Sequence, residues 1–164
     1  MARLDFGAEI TFLSQPELSG EQIDTEEKLS LPEGLRPYFG DLEALRRGKW
    51  TNNEVPYPAA PDNKSFAIEV DRDRVSRAHA ALARVKYADN DETAWLVYVK
   101  ATLMGDEPAD VVQYHRAHPA FPQEPTADQF FDERQWESYR RLGLHVGRRV
   151  LTKDLFDFLE GNPA

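Results

Sequence analysis

Hydrophobic and polar residues alternate from the first positions of the chain. Leu4, Phe6, Ala8, Ile10 and Phe12 fall on one side, and Arg3, Asp5, Glu9 and Thr11 on the other. Period two predicts a half-buried strand over residues 3–13, with Gly7 marking a bulge or a close backbone approach. Starting with no lead-in, this strand is expected to belong to a larger sheet and to present an unpaired edge if it stands alone. The run SFAIEV, residues 65–70, predicts a short strand. Residues 79–87 carry two signals. Their alanines favour helix, whereas Ala81, Ala83, Val85 and Tyr87 alternate with Leu82, Arg84 and Lys86, so the second half reads as strand. Residues 93–103, TAWLVYVKATL, give the strongest strand signal, being rich in β-branched and aromatic side chains. Trp95, Val97, Val99 and Ala101 share one face, and Leu96, Tyr98, Lys100 and Thr102 the other. The polar run Asp89-Asn90-Asp91 predicts an antiparallel hairpin between the last two strands.

Beyond Met104 the spacing changes from two to three and four. Pro108 suits a first helical turn, and residues 109–117 follow with Val111, Val112 and Tyr114 inward. Residues 126–143, TADQFFDERQWESYRRLG, form the clearest helix. Thr126 and Gln129 have capping-box spacing, Asp132 offers a second cap, and Trp136, Tyr139, Leu142 and Val146 mark one face. Glu133 and Glu137 precede Arg140 and Arg141, which puts acids at the positive end of the helix and bases further on. Pro119, Pro122 and Pro125, with Phe121, stiffen the approach. A last short helix over 152–159 has Thr152 as its cap, Leu155, Phe156 and Leu159 inward, and Gly161 past its end.

Earlier in the chain, residues 14–33 are acidic. Residues 35–47 predict a short helix capped by Asp41 with Leu42 and Leu45 inward, stopped by Gly48. Residues 50–64 hold Pro56, Pro58 and Pro61 among Asn and Asp. The stretch 14–64 is therefore a long, mostly irregular insertion, of a kind that in compact domains is functional or mobile. The expected fold is α+β in a single domain, residues 1–164. It has a small antiparallel sheet of three to four strands, with C-terminal helices from 108–160 packed on one side.

Composition narrows the chemistry. The chain of 164 residues suffices for one core. It has no cysteine, which excludes disulfides, thiol catalysis and Cys-based zinc sites. Lys and Arg number 20 against 29 Asp and Glu, a formal charge of −9, which argues against a nucleic-acid partner. Arg140, Arg141, Arg148 and Arg149 could still form a local basic patch. No apolar run approaches the roughly 20 residues that span a bilayer. The N-terminus lacks the apolar core of a signal peptide, so the expected location is the cytoplasm. No G-x-S-x-G elbow, phosphate loop or dinucleotide fingerprint occurs. His115 and His118 could share a helical face, but Pro119 ends the helix and no third ligand is evident, so neither metal nor cofactor is expected. His79 and His145 each read as isolated packing or surface residues. Gly105, Asp106 and Glu107 lie at a strand end ahead of a helix start, where sites often occur. On physical grounds alone they better suit a turn with acids favoured at a helix N-terminus.

Three segments taken together resemble a known family: RLDFGAEITF, HAALARVKY and WLVYVKATLMGDEPADVVQYHRAHPAFPQEPTADQFFDERQWESYRRLG. They look like the C-terminal part of long bacterial patatin-like phospholipases, acyl hydrolases related to plant patatins. The match spans roughly half the chain, and residues 94–143 carry most of its specificity. His118 departs from the usual Asn, Gln123 from the usual His, and Pro125 from the usual Ser or Thr. Members of that family use a Ser–Asp dyad, with the serine in G-x-S-x-G and the aspartate in D-G-[GA]. Neither motif occurs here, so no catalytic residue carries over. The resemblance implies a non-catalytic C-terminal module or subunit of a patatin-like lipid acyl hydrolase, inactive alone, which docks onto the catalytic domain or subunit. The docking residues expected are Phe130, Phe131, Trp136 and Tyr139, because buried aromatics dominate interface energy. Gly105, Asp106 and Glu107 are expected as a loop facing the hydrolase site. A different expectation is a free-standing adaptor or regulator that binds a partner through residues 14–64.

Overall fold

The computed structural model describes residues 2–4, 8–14, 18, 31–46, 75–88, 92–125 and 130–162. The strand expected at 65–70, most of the 14–64 insertion, the Asp89-Asn90-Asp91 turn and the Thr126–Gln129 capping pair lie outside these residues.

Among the described residues, four strands form one antiparallel sheet in sequence order: β1 (Ala2–Leu4), β2 (Ala8–Phe12), β3 (Ala80–Tyr87) and β4 (Thr93–Val99). The single strand expected over residues 3–13 is instead two. Leu4 pairs with Ala8 and Ala2 with Ile10, so the chain reverses between them. The sequence alternates unbroken across residues 5–7, and of these Asp5 and Gly7 are turn formers by type. The consequence is that β2 is paired on both sides, and among the described residues the sheet edges are β1 and β4.

β3 is strand throughout despite its alanines. It pairs with β4 from Ala80↔Val99 to Lys86↔Thr93, which is the hairpin expected. The alternation places Leu82, Arg84, Trp95 and Val97 on one face, and Ala81, Ala83, Val85, Ala94 and Leu96 on the other. Arg84 lies over the Trp95 ring at 5.3 Å, an exchange of water for a π face that suits a cation at a half-buried position. β4 stops at Val99, four residues short of the expected end. From there the backbone serves other segments: Leu103 accepts from the Ser76 N–H at 2.7 Å.

Three helices follow: α1 (Ala109–Ala117), α2 (Glu133–Val150) and α3 (Lys153–Gly161). α1 has the expected bounds, with Val111 and Val112 buried. In α2 the working cap is Asp132, whose side chain accepts from the Gln135 N–H at 2.7 Å. Such a cap is worth about 1 kcal/mol. The helix continues past Gly143 to Val150, and its buried stripe is Gln135, Ser138, Leu142, Val146 and Val150. Leu142, Val146 and Val150 recur every four residues, each contributing about 1.5–3 kcal/mol by leaving water. Trp136 therefore lies off the buried face on which its spacing had put it. In α3, Thr152 caps as expected, but Phe158 rather than Phe156 turns inward beside Leu155. The expected helix at 35–47 is a 3-10 turn, Arg36–Tyr38, followed by turns in which Asp41 caps the Ala44 N–H. Ala44 and Leu45 are buried there and Leu42 is exposed.

The helices cover one face of the sheet. Leu82, with Trp95 and Val97, packs in a core with Val111, Leu142, Val146, Val150, Leu155 and Phe158. The other face buries Ala8, Ile10, Ala83 and Val85 against Phe12, Ala94 and Leu96, and Ala81 against Ala44, Leu45 and Ala78. The α+β class read from the sequence is the observed one. Among the described residues no helix is long and apolar enough to cross a membrane.

Candidate functional site

Four chain segments meet at Asp106. β3 is preceded by His79, fully buried at 0% exposure, whose backbone N–H donates to the Tyr38 carbonyl. The stretch after β4 supplies Thr102, and the turn beyond it supplies Asp106 and Glu107. α2 supplies His145 and Arg149 from successive turns of one face. His145 Nε2 lies 3.2 Å from Asp106 Oδ1, and His79 Nε2 lies 3.6 Å from the same oxygen. Arg149 Nε lies 3.5 Å from the other carboxylate oxygen, Oδ2, and its guanidinium covers the Tyr38 ring at 5.3 Å. The two imidazoles are nearly perpendicular, with ring centroids 5.9 Å apart.

The turn holding Asp106 is built by Glu107. Its carboxylate accepts from the Met104 N–H at 2.6 Å and from the Gly105 N–H at 2.9 Å. Gly105 has φ of 99°, which side chains beyond glycine rarely adopt. Pro108 then opens α1. The sequence Met104-Gly105-Asp106-Glu107-Pro108 thus folds into a clamp that points Asp106 inward. Burial pushes the Glu107 carboxyl up, and the adjacent Asp106 charge adds to this. For Asp106 burial acts in the same direction, but the imidazoles of His145 and His79 outweigh it and hold its carboxyl well below the usual carboxylate range.

His79 is oriented from behind. Its Nδ1 lies 2.8 Å from Thr102 Oγ1, and that hydroxyl lies 3.0 Å from the Ala78 carbonyl. Thr102 thus fixes the orientation of the ring, and the tautomer sets which partner of the Nδ1 contact donates. Nε2 of His79 and Oδ2 of Asp106 are buried without a hydrogen-bond partner. His79, Asp106, Glu107 and His145 offer four ligand atoms that all lie within 4.8 Å of one another.

His79 and His145, which read as isolated in the sequence, are brought together, and Gly105, Asp106 and Glu107 supply the turn between them. Asp106 and Glu107 face the interior of this chain. His115 and His118 take separate roles. His115 Nδ1 bonds to the Phe121 carbonyl at 2.8 Å, and His118 stacks on Tyr114 at 4.2 Å. Lys100 donates to the Leu45 carbonyl at 3.4 Å. The arginines are largely neutralised: Arg140 and Arg141 bind Glu137 at 2.7 and 3.1 Å, Arg141 also reaches Asp110, and Arg149 reaches Asp106.

The aromatic residues of the α2 entry divide. Phe130 is 95% exposed, Trp136 62% and Phe131 46%. Tyr139 is half-buried, stacked on Phe131 at 5.5 Å and edge-on to Phe121 at 4.8 Å, and its hydroxyl donates to Glu124 at 2.9 Å. Beside them, α1 and α2 border an open cleft of about 670 Å³ lined by Tyr114, His118, Arg134, Glu137 and Arg141 among others.

No family model, no curated protein and no solved structure matches this chain.

Proposed function

We propose that the chain is a non-catalytic module or subunit of a patatin-like lipid acyl hydrolase, docking onto the catalytic domain through the entry to α2. The observation that carries this reading is the exposure of Phe130, Trp136 and Phe131 within seven residues of chain, in the segment that bears the resemblance. Three large aromatics in water at one helix start are a surface that gains by being covered. Tyr139 serves it from below, by stacking on Phe131 and anchoring to Glu124. The serine and aspartate of the hydrolysis reside on the partner, where ester cleavage proceeds through an acyl-serine.

The test mixes the purified chain with a recombinant patatin-like catalytic domain from the same organism that carries G-x-S-x-G and D-G-[GA]. Light scattering after size exclusion reads the complex. Trp136→Ala should weaken it by about 2 kcal/mol or more, the scale of an interface hot spot. Separate elution of the two proteins, or equal binding by Trp136→Ala and Phe130→Ala, refutes the docking. Ester hydrolysis by the chain alone refutes the non-catalytic assignment.

A further inference from the structure

We propose that His79, Asp106 and His145 bind a zinc ion, with Glu107 in reach as the fourth ligand. Three observations converge. The first is a buried ring nitrogen without a hydrogen-bond partner. His79 is held through Nδ1 by Thr102 at 2.8 Å, so that Nε2 is the ring atom facing Asp106 Oδ1, 3.6 Å away. A buried imidazole nitrogen and a buried carboxylate oxygen facing one another offer two ligand atoms to a cation between them. At 3.6 Å the two atoms are beyond hydrogen-bond distance, and His79 Nε2 has no hydrogen-bond partner.

The second is distance. Zinc bonds to imidazole nitrogen and carboxylate oxygen of about 2.0–2.2 Å place tetrahedral ligand atoms roughly 3.3–3.6 Å apart. The observed separations from Asp106 Oδ1 are 3.2 Å to His145 Nε2 and 3.6 Å to His79 Nε2. The third is outer support. Zinc-binding histidines have their other ring nitrogen held by a fixed hydrogen-bond partner, as Thr102 holds Nδ1 of His79 at 2.8 Å. Arg149 meets Asp106 at Oδ2 and leaves Oδ1 to the two imidazoles. Two imidazoles with carboxylates favour zinc over magnesium or calcium, which take oxygen ligands. The ion would join β3, the turn after β4 and α2 at one point.

The experiment uses the full chain without a histidine tag, stripped with chelator and reloaded. Elemental analysis should find one zinc per chain, and cobalt should substitute with the intense visible absorption of a four-coordinate site. His145→Gln and Asp106→Asn should each bind zinc at least about tenfold more weakly, with circular dichroism reading whether each remains folded. His118→Gln, on the exposed end of α1, should bind as the wild type does. His145 is the more accessible histidine ligand, so its variant keeps the test open if changes at His79 prevent folding. A folded wild-type chain that takes up no zinc overturns the proposal. So does undiminished zinc binding by His145→Gln and Asp106→Asn, or selective uptake of manganese or iron in place of zinc. None of these outcomes bears on the docking surface, which is read by complex formation.

Discussion

Thr102→Val separates hydrogen bonding from burial at the most enclosed part of the site. Thr102 is 1% exposed and its hydroxyl serves two partners, His79 Nδ1 at 2.8 Å and the Ala78 carbonyl at 3.0 Å. Valine matches threonine in shape, so packing is preserved. Both partners are left unpaired in a dry environment, at about 1–3 kcal/mol each. Switching the imidazole tautomer does not help, because Nδ1 then becomes an unpaired acceptor. Burial of the added methyl returns about 0.8 kcal/mol. The net loss is about 1–5 kcal/mol, centred near 3, and at about 2–4 °C per kcal/mol for a chain of this size the Tm falls by about 6–12 °C. Thr102→Ser keeps both hydrogen bonds and loses one methyl, for about 1 kcal/mol. The measurement is urea denaturation with chelator present, which isolates the protein network from any metal, with equal m-values required for the comparison. The expected order of stability is wild type, then serine, then valine, and burial alone would reverse the two variants. A valine variant as stable as the serine variant, or within about 0.5 kcal/mol of wild type, refutes the assignment of the Thr102 hydroxyl.

Two further predictions concern α2. Leu142→Ala, at 1% exposure in the core, should cost about 2–5 kcal/mol, whereas Leu144→Ala two residues on, in solvent, should stay within about 0.5 kcal/mol; similar midpoints in denaturant would contradict the buried stripe. Glu137 has its carboxyl lowered to about 2, chiefly by the Arg140 hydrogen bond. A lowered folded value means that the stabilisation is complete above the ordinary value near 4.5 and is lost as pH falls from there toward about 2. The pair is exposed, so added salt weakens it. Carboxyl NMR titration should show the Glu137 midpoint rising in Arg140→Gln, and an unmoved midpoint would show that the arginine is not its cause.

The sheet was legible wherever alternation was bounded by clear turn chemistry. β3 and β4 kept their predicted pairing and faces because Val85, Trp95 and Val97 leave one register that buries both sides. Residues 3–13 misled because alternation continued through Asp5 and Gly7, and a two-residue period is blind to a reversal that preserves it. The helix starts were legible from side-chain oxygens, as Asp132 and Thr152 demonstrate. The helix faces were less so. Trp136 fits a stripe by spacing, but the axis of burial was set by Leu142, Val146 and Val150, a choice made by the tertiary packing partner. The site was hidden for a related reason. His145 and Asp106 are 39 residues apart and come from different elements, so no local spacing links them. One signal was present: Asp106 stands between a glycine and a glutamate ahead of a helix-opening proline, a turn chemistry that fixes where its side chain goes.

The two proposals rest on the same helix and still stand separately. Trp136 and His145 are nine residues apart in α2, which at 1.5 Å per residue is about 13 Å along its axis. Substitutions that far apart with no shared partner are additive within a few tenths of a kcal/mol. Trp136 is mostly in solvent, while His145 faces Asp106, so their partners do not overlap. Loss of zinc binding in His145→Gln with docking intact, and loss of docking in Trp136→Ala with zinc intact, are therefore the outcomes that independent sites require. Coupled loss in both variants would point instead to a shared unfolding of α2, which the Leu142→Ala variant would reproduce without touching either surface.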